Sequence, residues 1–144
     1  MSTSDYVRPA ISNGHPKEQA LIRRWWSEAN ASCGCLVWDY YLGDCYADAV
    51  WFPDAQPTGT EYPGTSATTR FPIAGKLIVL CEAKLRLTPE LIGQGVVYRH
   101  LARVSGADLQ SVVLFAEQSS PAFRAAAEDA GFQVVVQHDA YLQN

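Results

Sequence analysis

A chain of 144 residues has the length of one domain, enough to bury a core without disulfides or structural metals. With 48% hydrophobic and 18% charged residues it has a globular composition, and a net charge of -4 argues against the broad basic surface of an indiscriminate nucleic-acid binder. No apolar run reaches bilayer length, and the start Met1-Ser2-Thr3-Ser4-Asp5 lacks the basic and apolar regions of a signal peptide, so a cytoplasmic location without membrane contact is expected.

Residues 1–14 are polar and read as a loose N-terminal segment. A helix is expected over 16–29, because Pro16 suits a first helical turn and Leu21, Ile22, Trp25 and Trp26 form one apolar stripe. Gly34 marks its exit. Aromatic and β-branched residues predict strands over 36–42 and 45–52, joined by a tight turn at Gly43-Asp44. Residues 53–75 are rich in Pro, Gly, Thr and Ser and form a long loop, with a short irregular strand near 69–73. A third strand covers 76–84. Thr88-Pro89-Glu90 supplies a capping hydroxyl, a first-turn proline and an acid near the positive helix end, and Gly106 ends that helix. A strand over 109–116, a helix over 122–130 and a strand over 132–136 complete the order α-β-β-β-α-β-α-β. The fold class is α/β: one domain, with a mixed central sheet flanked by helices.

Four cysteines, Cys33, Cys35, Cys45 and Cys81, match no common zinc or redox spacing and read as reduced thiols. There is no glycine-rich phosphate loop and no nucleophile elbow.

The informative feature is Glu82-Ala83-Lys84 at the end of the apolar run 77–81. Side chains alternate along a strand, so Glu82 and Lys84 point the same way, roughly 7 Å apart. Charged groups there are costly to bury without a partner or a task. Asp48 lies in a similar strand upstream. Two carboxylates suit Mg²⁺ or Mn²⁺, with the Ala83 carbonyl as a further oxygen ligand and Lys84 to handle a proton or oppose developing negative charge. The triplet alone reads equally as an ion pair at a strand end, with Asp48 capping a turn.

The order of these motifs, with Gln94-Gly95-Val96-Val97-Tyr98 downstream, resembles the PD-(D/E)xK nuclease superfamily, in its RecB-type and lambda-exonuclease-like branch with a QxxxY signature. The resemblance spans the first helix through the fourth strand. It implies a restriction-endonuclease-like αβββαβ core plus a C-terminal αβ, and metal-dependent hydrolysis of phosphodiester bonds in DNA. It implies catalytic roles for Asp48, Glu82, Lys84 and Gln94, with Asp48, Glu82, Ala83 and an acid of the first helix, Glu18, at the metal. Tyr98, with Arg99 and Arg86 as further candidates, would contact substrate. His15 is a weaker candidate than Glu18, and the cysteines are not arranged as in the iron–sulfur members. Glycines at 93 and 95, unfavourable inside a helix, suggest close packing or binding at that backbone. Exonuclease and endonuclease action both remain open. So does a homo-oligomer, or a catalytically silent nuclease-fold module in a virus or DNA-processing assembly; a viral protein would act in the host cytoplasm or the virion.

Overall fold

The computed structural model describes residues 16–64 and 70–137. In chain order the elements are α1 (Pro16–Asn30), β1 (Cys35–Tyr41), β2 (Tyr46–Phe52), β3 (Thr60–Tyr62), β4 (Leu77–Ala83), α2 (Pro89–Val104), β5 (Asp108–Ala116), α3 (Pro121–Asp129) and β6 (Gln133–Val136). The expected elements are present with ends shifted by a residue or so. The extra strand in the long loop is β3, not a strand over 69–73: Arg70 is helical, residues 71–73 are irregular, and Ala74 makes only an isolated bridge to Ala107. The N-terminal segment 1–14, His15, Thr69 and His138 lie outside the described residues.

Six strands form one mixed sheet in the order β3-β1-β2-β4-β5-β6. β2 runs antiparallel to both β1 and β4, while β4, β5 and β6 are mutually parallel. Helix α1 covers one face, where Leu21, Ile22, Trp25 and Trp26 pack on Trp38, Trp51, Cys81 and Phe115. Helices α2 and α3 cover the other, where Leu91, Ala102 and Ala127 pack with Val50, Leu80, Leu114 and Phe132. Each large side chain buried this way stabilises the fold by about 1.5–3 kcal/mol relative to exposure. Both α2 and α3 begin as their sequences dictate. Thr88 Oγ1 accepts from the Leu91 amide at 3.2 Å, Ser120 Oγ accepts from the Phe123 amide at 3.1 Å, and a proline follows each cap.

β3 has only three residues, so side chains from elsewhere hold it. Arg23 of α1 donates to Glu61 through Nε and Nη2, at 3.1 and 2.9 Å to Oε1, and the Trp38 indole donates to the same oxygen at 2.8 Å. No helix among the described residues is long and apolar enough to cross a membrane.

Candidate active site

The β2–β4 ladder ends one residue early, and that defect builds the site. Pairing runs Trp51↔Val79, Val50↔Leu80 and Ala49↔Cys81. The next rung would be Asp48 with Glu82, but side chains replace the backbone bonds there. The Asp48 amide donates to Glu82 Oε1 at 2.8 Å, and the Ala83 amide donates to Asp48 Oδ2 at 2.9 Å. Each carboxyl therefore satisfies an amide of the opposite strand, which lets the strands part without leaving buried N–H groups unpaired.

Glu82 is 3% exposed, the sole buried charged or polar side chain among the described residues. Burial drives its carboxyl well above the usual 4.5, and the Asp48 charge adds to that push. Asp48 is also raised by burial, but the Ala83 amide, the hydrogen bond with Glu82 and the charge of Lys84 pull it back. Lys84 follows β4 directly, its amide donating to the Phe115 carbonyl at 3.0 Å. Its charge favours ionisation of both carboxyls without an ion pair to either among the described residues.

Two further acids belong to this cluster. Glu18 on α1 is close enough to raise Asp48. Asp39, a residue the motif reading passed over, lies in β1 with φ of 49°, a left-handed conformation that Asp tolerates better than most residues. Both strands change face here. Val37 and Tyr40 lie on the α2 side while Trp38 lies on the α1 side, and Ala47 and Val50 lie on the α2 side while Ala49 lies on the α1 side. That paired kink turns Asp39 and Asp48 together toward α1, where they line a cavity of about 10 Å³ with Glu18, Gln19, Ile22 and Trp38. Gly64 presses on the kink from outside, and a methyl group at that position would overlap the carbonyl oxygens of Trp38 and Asp39. Burial and the neighbouring Asp48 raise the Asp39 carboxyl from 3.8 to about 6, and its buried Oδ2 has no hydrogen-bond partner among the described residues.

On the α2 side stand Gln94 and Tyr98. Gln94 Oε1 is buried without a hydrogen-bond partner among the described residues. Tyr98 is hydrogen-bonded to the Cys45 thiol, and burial followed by the Glu82 charge raises its phenol. Asp48, Glu82, Lys84 and Glu18 therefore act on one another around one end of the β2–β4 seam, with Tyr98 near Glu82 and Gln94 one helical turn before Tyr98 on α2, while Ala83 is fully buried within the seam.

Arg99 does not join them. Its Nη1 donates to the Ala130 carbonyl at 2.5 Å and its guanidinium lies 4.5 Å from the Phe132 ring centroid, so it braces α2 against the end of α3. Arg86 lies beyond Lys84, in an open cleft of about 430 Å³ shared with Thr88 and Ser120. Of the two glycines in α2, Gly95 is held by core packing against Phe132 and Leu114, while Gly93 faces open space. The four cysteines are free thiols.

Comparison with protein-family models, with curated proteins and with solved structures returns no match for this chain. The site must therefore be read on its own chemistry. Its donors are hard carboxylate and amide oxygens, suited to Mg²⁺ or Mn²⁺ rather than to a soft thiophilic ion. The Glu82 and Asp48 carboxyls, both raised by burial, fit a position where a cation would replace a proton. As placed, no three His, Cys, Asp or Glu side chains among the described residues converge as a ligand group. Any cation would draw its remaining oxygens from the backbone, from Gln94 or from water.

Proposed function

We propose that this protein is a metal-dependent nuclease hydrolysing phosphodiester bonds in DNA. The observation that carries the reading is the pairing of Asp48 with Glu82 across the parted end of β2 and β4, with Lys84 adjacent and the Gln94 oxygen unpartnered. The resemblance of these motifs to the PD-(D/E)xK pattern supports the same conclusion. Asp48 and Glu82 would hold Mg²⁺ or Mn²⁺, which supplies Lewis-acid neutralisation of phosphate charge when bound. With that ion bound, both carboxyls would serve as anionic oxygen donors. Lys84, free of any ion pair among the described residues, is available to stabilise charge on the phosphate or to take a proton from the attacking water. Gln94 offers its amide to the water or to a phosphate oxygen.

The second reading is a nuclease-fold module without catalysis, acting in a larger assembly. What favours it is that both carboxyls already serve as backbone acceptors, a role they would fill in a purely structural protein. Cleavage of linear and circular DNA with Mg²⁺ or Mn²⁺ decides between them. The nuclease reading expects metal-dependent cutting by the native protein, reduced at least a hundredfold in Lys84→Ala. Cleavage of neither DNA form would reject it, and equal cleavage by Lys84→Ala would reject this site. Cutting of linear DNA alone would establish end-directed action.

A further inference from the structure

We infer that the exposed tyrosine pair Tyr41–Tyr46 is a stacking platform for an unpaired nucleobase of the substrate strand. The inference rests on the nuclease reading and deepens it, because it makes the substrate single-stranded or frayed at the site. Tyr41 and Tyr46 are cross-strand partners at the tip of the β1–β2 hairpin. Their rings lie 5.0 Å apart between centroids, tilted by 47°, and are 45% and 59% exposed. The Tyr41 hydroxyl donates to the Gly43 carbonyl.

Their position relative to the acids gives the pair its meaning. Tyr40 and Ala47 face the α2 side, so their neighbours Tyr41 and Tyr46 face the α1 side. Asp39 and Asp48 face the α1 side as well. Tyr41 follows Asp39 by two residues on β1, and Tyr46 precedes Asp48 by two on β2. The aromatic pair therefore lies roughly 7 Å further along the same face as the carboxyls. Glu18, Asp39 and Asp48 line the α1 side and offer no positive charge to a phosphate backbone, so a strand held here gains from a contact that does not depend on charge. Aromatic faces supply it, because every base has a π-face and each stacked base contributes to affinity regardless of sequence. Bases inside a duplex are already stacked and are not available to the pair.

The test is fluorescence anisotropy with a labelled oligothymidylate and an abasic oligomer of equal length and charge, in Ca²⁺. The native protein is expected to bind the base-containing strand about tenfold more tightly than the abasic one. Tyr41→Ala/Tyr46→Ala should lose that ratio, and Tyr41→Phe/Tyr46→Phe should keep it, since a phenyl ring still stacks and still supports the hairpin. Equal binding of both oligomers by the native protein, absence of binding, or an unchanged ratio in the alanine variant would overturn the platform. Base-dependent binding without cleavage in Mg²⁺ or Mn²⁺ would reject the nuclease reading and retain the platform. Cleavage with a tyrosine-independent ratio would do the reverse.

Discussion

Glu82 accepts the Asp48 amide at 2.8 Å where the next backbone rung of the β2–β4 ladder would stand. Asp48 returns the interaction by accepting the Ala83 amide at 2.9 Å. These acids therefore have a structural task as well as the catalytic one proposed for them, and substitutions can separate the two.

Asp48→Asn retains a side-chain carbonyl oxygen for the Ala83 amide, whereas Asp48→Ala leaves that buried N–H without a partner. An unsatisfied buried donor costs about 1–3 kcal/mol. Asp48→Ala is expected to melt well below the native protein and Asp48→Asn close to it, with DNA cleavage lost in both. Differential scanning fluorimetry with a cleavage assay checks the pair. Equal melting temperatures would show that the Asp48–Ala83 bond contributes nothing.

The pH profile of stability follows from the raised carboxyls. Glu82 lies well above 4.5 in the fold, and Asp39 rises from 3.8 to about 6. A carboxyl raised by folding binds more protons in the native state than in the unfolded one. Its favourable contribution is complete below its unfolded value and is lost as pH rises through its folded value. In chelator, the melting temperature should therefore fall as pH rises from about 4 through 6 and beyond. Glu82→Gln should flatten the profile, and Mg²⁺ or Mn²⁺ should raise the native melting temperature at pH 7–8 but not that of Glu82→Gln. A profile that rises with pH over this range would contradict the burial assigned to these groups.

The main elements were legible because their signals are local. Thr88-Pro89 and Ser120-Pro121 mark helix starts, and the apolar runs of β4, β5 and β6 mark strands covered on both faces. β3 was not legible, because its three residues are ordered by Arg23 and Trp38, distant in sequence, acting through Glu61. The sequence singled out Asp48, Glu82, Lys84 and Gln94 as spaced motifs, of which the structure pairs Asp48 with Glu82, but it did not single out Asp39. Its role comes from a left-handed kink and a neighbour nine residues away, although an acid inside the apolar strand Cys35–Tyr41 was an available sign. Arg99 misled in the opposite sense: next to Tyr98 in sequence, it turns to Ala130 and Phe132 instead.

The two glycines of α2 give opposite expectations from the same substitution. Alanine at Gly93 meets nothing within 4 Å, so Gly93→Ala should gain most of the helix-propensity difference, about 1 kcal/mol. A methyl group at Gly95 would lie 3.0 Å from Phe132 Cζ and 3.3 Å from Leu114 Cδ2. Both are fixed core side chains, so crowding offsets the gain, and Gly95→Ala should be less stable than Gly93→Ala. Chemical denaturation of both variants checks the ordering. A more stable Gly95→Ala would mean that Phe132 yields readily and that the α2–β6 seam is looser than its packing indicates.

Gln94 should show stability and function opposed in a single side chain. Its buried Oε1 lacks a partner, and an orphaned acceptor carries its desolvation cost without return. A fold optimised only for stability would place an apolar residue there. Gln94→Leu is therefore expected to match or exceed the native melting temperature. If Gln94 positions the attacking water or a phosphate oxygen, the same variant should lose about a hundredfold in cleavage rate. Gln94→Glu, which keeps the acceptor and adds a charge at a buried position, should be less stable than Gln94→Leu at pH 8 and recover toward it on acidification. Gln94→Leu melting well below the native protein would show that the oxygen serves the fold after all, through a contact such as a bound water. The case for its direct part in hydrolysis would then fall.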